Sequence, residues 1–372
     1  MIIKQNTWPA LELIKAIAIA SMIVVHSWSY VVTPEDLILY QDSLSLKIGN
    51  VLHFLCFSNI WIPAIAGASL RLQSNGDSHP KGLQKTLSRV SLKWGVVFFL
   101  TGILISMAIN EGEFIYSYNP LHFLGISFVL VSILLFLSPL RLMWVWTSLI
   151  FLGSIINQYF KPHLFLEPLS SPELLLALNG VSKIKLMLLE ITLGSKIVAW
   201  SLLPWFTSIL VGFLFADKYD KNRLNTSFLK KTVVISFAIV VFGFLDPKAT
   251  KFIGQQNILD QLHSLYMPMS LFVSTISGFV LALSFATLFY KKESHYFSDL
   301  IMALSRGSFW IFLIHFYFLS FLSPTFEFAV IQVRIFFFPA FVLVWCVVFG
   351  TIVVELGKKK LVINIVKKRQ AS

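Results

Sequence analysis

The stretch from Trp8 to Tyr30, WPALELIKAIAIASMIVVHSWSY, constrains the fold of this chain more than any other. Between Lys15 and His26 its only polar residue is Ser21. An apolar run of that kind reads as a membrane-spanning helix. Thr7 is placed to cap the helix, and Pro9 suits its first turn. Three residues inside it resist a bilayer: Glu12, Lys15 and His26. Glu12 and Lys15 stand three apart and can pair on one face. Lys15 and His26 are separated by about three turns, so they share a face roughly 16 Å apart along the axis. A cation near one boundary and an imidazole deep in the membrane, on one stripe, read as a site. The alternative is that Glu12 and Lys15 lie in the headgroup zone and only His26 is buried.

Composition agrees with a membrane protein throughout. The 372 residues are 56% hydrophobic and only 13% charged, which excludes an ordinary soluble domain and fits a polytopic helix bundle. The 36 phenylalanines suit a lipid-facing surface and packed helices. The formal charge of +12 is no nucleic-acid footprint, because most basic residues sit in short loops between apolar runs. Cys56 and Cys346 fall in apolar runs, so buried thiols are expected and no disulfide framework. The first apolar stretch lacks a cleavage site of the signal-peptide kind and is long enough to remain as a span.

Judged by length and hydropathy, about ten spans are expected: 10–32, 48–70, 88–109, 119–138, 142–158, 197–216, 230–246, 266–290, 300–322 and 330–356. The fifth and seventh are short enough to be re-entrant or tilted. Basic residues cluster in alternate loops: Arg71, Lys81 and Lys85; Arg141; Lys218, Lys221, Arg223, Lys230 and Lys231; Lys291 and Lys292; and the C-terminal lysines. The intervening loops are acidic or balanced. Ten spans with both termini in the cytosol put the basic loops inside. Segment 159–196, with Pro162, Pro168 and Pro172, then lies outside as an interfacial helix or part of a lid. No internal repeat or linker separates a soluble domain, so residues 1–357 read as one transmembrane domain and 358–372 as a basic cytosolic tail.

Other polar residues stand out in the spans. His53 lies near the outer start of the second, which ends in the small residues Ala64, Ala66, Gly67, Ala68 and Ser69 followed by Arg71. Such residues allow close approach of helices or of a ligand. Asn119 and Pro120 begin the fourth, with His122 just inside. Pro204 opens the sixth, and Trp205 suits an aromatic belt. In the ninth, Arg306 and Ser308 sit near the cytosolic start, with His315 about two turns beyond Ser308 on the same face. An inner cation with a deeper imidazole therefore recurs.

These residues carry a resemblance. LELIKAIAIASMIVVH resembles the first span of the transmembrane acyltransferase superfamily, LDxLRAIAIxxVVxxH, with Glu12, Lys15 and His26 at its acidic, basic and histidine positions. Within it, the chain is most similar to bacterial relatives of heparan-α-glucosaminide N-acetyltransferase. IAGASL, PLHFLGISFVLVSILL, SLLPWFTSILVGFLFADK and SRGSFWIFLIHFYFL resemble four further segments of that branch, in order, from residue 12 to about 320. The chain departs from the pattern at Lys15, where arginine is usual, at Gly307, and at Phe316-Tyr317. Lysine keeps the charge but loses the planar fork that binds phosphate at two points.

The resemblance implies an all-α membrane acyltransferase, with residues 1–357 as its domain, in a bacterial cytoplasmic membrane. It implies acyl-CoA, with acetyl-CoA foremost, as a cytosolic co-substrate and no bound cofactor. It implies a carbohydrate or cell-envelope glycan as the acceptor. Lys15, Arg71 and Arg306 become candidates for the CoA phosphates, and His26 for the general base. His122, His315 or Ser308 would supply an oxyanion donor, with Glu12 and Trp205 in support. No metal-ligand spacing, glycine-rich phosphate loop or serine nucleophile elbow points to another enzyme class. A proton-coupled transporter or flippase also suits buried His, Lys and Glu, though no matched pair of broken helices is present.

Overall fold

A computed structural model describes residues 8–73, 80–109, 119–164, 188, 191–192, 202–220, 224–254, 268–290 and 295–370. Among them there is no strand. The helices are α1 (Pro9–Val31), α2 (Pro34–Leu39), α3 (Leu44–Leu55), α4 (Ile62–Leu72), α5 (Pro80–Ile109), α6 (Pro120–Leu137), α7 (Met143–Leu164), α8 (Leu202–Asp220), α9 (Thr226–Leu245), α10 (Pro247–Gly254), α11 (Met269–Phe289), α12 (His295–Arg306), α13 (Ser308–Phe326) and α14 (Phe338–Gln370). Short 3₁₀ segments occupy Cys56–Trp61 and Leu140–Leu142, and a π turn, Val333–Phe337, leads into α14.

Seven helical stretches among the described residues are long and apolar enough to cross a membrane: Pro9–Val31, Gly82–Ser106, Pro120–Leu137, Thr226–Leu245, Met269–Phe289, Ser308–Phe326 and Val333–Val353. Ten were expected, and each of the three differences has a local cause. The second expected span is broken into α3, a 3₁₀ segment and α4. Pro63 cannot donate to a preceding turn, so the α-helix restarts there. The fifth is a short apolar helix, Leu140–Ile156, behind Pro139. The sixth, α8, ends in Asp217, Lys218 and Asp220. The ninth is also revised, because Gly307 separates α12 from α13. A Cβ there would lie 2.6 Å from the Ala303 carbonyl oxygen and 2.9 Å from Gly350 Cα. The bare backbone lets α14 pass close by. Thr7 lies outside the described residues; Trp8 holds the N-cap position of α1 without a side-chain cap, and Pro9 occupies the first turn as expected. Most of segment 159–196 also lies outside the described residues, apart from the end of α7.

The chain forms two compact units, one mainly of Pro63–Phe252 and Gln261–Val280, the other mainly of Trp8–Ile62 and Leu281–Ser372. In the first, α5 and α6 make an antiparallel hairpin. Gln84 Nε2 donates to the Leu135 and Ser138 carbonyls, Ser88 meets Ser132 at 2.9 Å, and Asn119 Nδ2 donates to the Gly102 carbonyl and Ser106. A polar ladder of this kind satisfies serine and amide groups that lipid would leave unpaired.

The small residues of α4 meet α8 in the same unit. A Cβ on Gly67 would lie 2.0 Å from the Ile209 carbonyl oxygen, and one on Gly212 would lie 1.8 Å from the Ala64 carbonyl oxygen. Further along, Arg71 reaches Asp217 and Asp220. Gly67 and Gly212 mark the crossing, and beyond it Arg71, C-terminal to Gly67, meets Asp217 and Asp220, C-terminal to Gly212, so α4 and α8 are parallel. The ends at Arg71 and Asp220 therefore lie on one side of this unit.

In the second unit α1 is the hub, packed against α12, α13, α14 and the Cys56–Trp61 segment. Its indoles tie it down: Trp8 Nε1 donates to Thr287 Oγ1 at 3.1 Å, and Trp28 Nε1 to the Ile335 carbonyl at 2.9 Å. The latter bond lands on the π turn. Arg334 of the same turn donates to the Val31 carbonyl and grips Asp36 with two bonds of 2.6 Å. Burial alone would raise the Asp36 carboxyl. The hydrogen bonds and charge of Arg334, with the Thr33 amide, outweigh it and hold the group below its ordinary 3.8. Because the folded value is the lower one, the stability from this pair is complete above pH 3.8 and is lost as pH falls through the folded value.

Candidate active site

The polar end of α1 is built from Glu12 and Lys15. Their charged atoms are 4.0 Å apart, and the side chains keep 18% and 17% of their exposure. At that distance the pairing is loose, and the lysine ammonium retains donors for another partner. Glu12 also accepts a hydrogen bond from Ser305 Oγ near the end of α12. Ser305 is buried, while the adjacent Arg306 is exposed. Lys15 and Arg306 thus bracket a Glu12–Ser305 link, one cation partly sheltered and the other open.

Deeper along α1 lies His26. Its Nδ1 is 2.9 Å from His315 Nε2 on α13, and the two rings lie nearly parallel, edge to edge, with centroids 5.2 Å apart and planes 13° apart. Phe316 stacks on His26 at 5.1 Å. His315 is fully buried and His26 is half-buried. His315 Nδ1 is also tied down, 3.2 Å from the Ile311 carbonyl oxygen one turn back on α13. One imidazole is therefore anchored on both nitrogens, and the other has one nitrogen left for chemistry.

The structure divides the remaining candidates. Arg71 is wholly buried: its Nε donates to Asp217 at 2.9 Å, and its terminal nitrogen contacts Asp217 at 2.8 Å and Asp220 at 2.9 Å. Two carboxylates already engage this guanidinium, so its donors are committed within the protein. The arrangement is that of a helix lock. His122 is 4% exposed and serves the start of α6, where its Nδ1 accepts from the Asn119 amide at 3.3 Å while Asn119 Oδ1 caps the helix. Its ring edge meets Phe99. Trp205 is not at a lipid boundary: it is 1% exposed and packs edge-on against Phe272. Ser308 begins α13 seven residues before His315, roughly 10 Å along the axis, so it does not reach the histidine pair. Since α12 ends at Arg306, that cation and His315 are on different helices, which removes the expected recurrence of a cation and an imidazole within one helix.

Sequence reasoning passed over Ser305, Asp217, Asp220 and the Asp36–Arg334 pair. Arg334 carried a signal of its own, a cation inside an apolar run. Asp217 and Asp220 did too, being three apart at a helix end and able to face one partner.

Described residues that are all helical, with several helices long and apolar enough to cross a membrane and paired imidazoles inside two of them, define a polytopic membrane protein with a buried polar site. Residues 8–245 match the family described as heparan-alpha-glucosaminide N-acetyltransferase, catalytic. The match takes in more than half of the chain, and the chain belongs to that family. It covers Glu12, Lys15, His26, Arg71, His122 and Trp205 and stops short of Arg306, Ser308 and His315. No curated protein and no solved structure matches the chain significantly.

Proposed function

We propose that this protein moves an acetyl group from cytosolic acetyl-CoA to an extracytoplasmic carbohydrate, with His26 as the general base. One observation carries the reading: in a member of an acetyltransferase family, His26 and His315 meet at 2.9 Å on membrane-crossing helices. The acceptor amine or hydroxyl would attack the thioester carbon while His26 takes its proton. The tetrahedral intermediate then expels the CoA thiolate, which leaves as the thiol once protonated. Lys15 and Arg306 would hold the CoA phosphates, and the extended pantetheine arm would run along α1 toward His26. Purified protein given labelled acetyl-CoA and an envelope-glycan extract is expected to place label on carbohydrate. Absence of transfer to any extract fraction, from protein that still binds acetyl-CoA, would overturn the proposal.

Lys15→Ala is expected to weaken acetyl-CoA binding about tenfold or more, the scale of one charge-assisted hydrogen bond, and Lys15→Arg to restore it. Titration of the purified variants with acetyl-CoA reads this directly. Equal affinity in Lys15→Ala and the unaltered protein would make Lys15 an ordinary snorkelling residue.

The same reading includes ten spans with both termini in the cytosol of a bacterial cell. Support comes from the helices at Ile62–Leu72, Leu140–Ile156 and Leu202–Asp220, which fall within or across the second, fifth and sixth expected spans. The parallel α4 and α8 also agree, because they bring the ends preceding loops 71–87 and 217–231 to one side. Single cysteines introduced in 159–196 should react with an impermeant reagent added outside, and those in 217–231 should not. Labelling of both segments would reject the arrangement.

A further inference from the structure

We propose that His315 is the positioning residue that decides which nitrogen of His26 acts as the base. This rests on the reading of His26 given above, and its physical content can be measured apart from activity. The argument begins at the Ile311 carbonyl. A carbonyl oxygen only accepts, so the 3.2 Å contact with His315 Nδ1 is a bond donated by His315. A neutral imidazole that carries its proton on Nδ1 has a bare lone pair on Nε2. The 2.9 Å contact to His26 must then be donated by His26 Nδ1–H. It follows that His26 has its proton on Nδ1 and its lone pair on Nε2.

The chain of donors runs one way, from His26 to His315 to the α13 backbone. It selects the catalytic tautomer through the bond made by the other ring nitrogen. It also prepares the charged state. When His26 Nε2 takes the acceptor's proton, both nitrogens of the ring become donors, and Nδ1–H already has an acceptor in His315. The hydrogen bond to His315 and the Phe316 ring at 5.1 Å limit rotation of the His26 ring, so a flip that would exchange the nitrogens is opposed. His315 touches no reacting atom in this scheme; it acts through His26.

The test combines a spectrum with kinetics. In protein labelled with ¹⁵N-histidine, the His26 resonances, identified by their loss in His26→Gln, should show Nδ1 protonated and Nε2 bare. In His315→Phe, which keeps an aromatic ring at the position but offers no acceptor, His26 should revert to the Nε2-protonated form favoured by free imidazole. The kcat for acetyl transfer should fall about 10- to 100-fold, the usual effect of losing a partner that orients a functional histidine, with KM for acetyl-CoA unchanged. His315→Gln places an amide oxygen near the former Nε2 position and should restore both the tautomer and most of the kcat. A His26 found protonated on Nε2 in the unaltered protein would overturn the proposal. So would a His315→Phe variant with unchanged tautomer and kcat. If the protein transfers no acetyl group at all, the function reading fails, while the spectrum still decides the tautomer.

Discussion

Replacing His26 with glutamine is expected to cut acetyl transfer by about 100- to 10,000-fold, the contribution of a general base, while acetyl-CoA still binds. Glutamine keeps a hydrogen-bonding group opposite His315 and a similar volume, so the packing of α1 on α13 is preserved. What it lacks is a nitrogen that gains a proton. Since His26 is half-buried and lies about three turns from Lys15, the donor's phosphates and the reacting carbon would be recognised by different residues, and loss of one need not disturb the other. The control is His122→Gln. His122 has the same residue type but is engaged in capping α6, so its loss should lower thermal stability and leave the kcat of folded protein near normal. Near-normal turnover in His26→Gln would make the His26–His315 contact a packing feature and remove the proposed mechanism.

Much of the architecture was legible because a bilayer imposes so few solutions. The apolar run of α1 and the Asn119-Pro120 start of α6 are local statements, readable from adjacent residues, and both hold. The stripe from Lys15 to His26 is likewise a property of one helix. The partner of His26 was not legible in this way. Helical periodicity reports which residues share a face of one helix, and His315 is 289 positions away on another. The sequence placed His315 among oxyanion candidates, apart from His26; the fold joins the two. The small residues around Gly67 announced a close approach, yet the α8 backbone at Ile209, and Gly212 against Ala64, emerge only from the parallel crossing of α4 and α8. Gly307 as a helix break and Arg334 as a clasp were passed over for a different reason. Averaging hydropathy along a run erases a single break or a single charge, even where the residue itself stands out.

Arg71 shows why the distinction matters, and Arg71→Ala is expected to destabilise the protein rather than weaken donor binding. Its side chain is wholly buried between Asp217 and Asp220, which are themselves only 14% and 20% exposed. Removing the cation takes the guanidinium away from two sheltered carboxylates that it holds side by side. Breaking a buried pair from one side costs about 3–5 kcal/mol, and the partial exposure of the acids favours the lower end, about 3 kcal/mol. The readout is thermal unfolding of the purified protein, with acetyl-CoA affinity measured on the fraction that remains folded. A lower Tm with unchanged affinity is the expected result. Adding Asp217→Asn and Asp220→Asn to an Arg71→Met variant should recover much of the loss, because the carboxylates that faced the guanidinium are then neutral as well. The opposite pattern, an unchanged Tm with weakened acetyl-CoA binding, would return Arg71 to the donor site that the sequence suggested and would mean that its two carboxylates yield it to phosphate when the donor arrives.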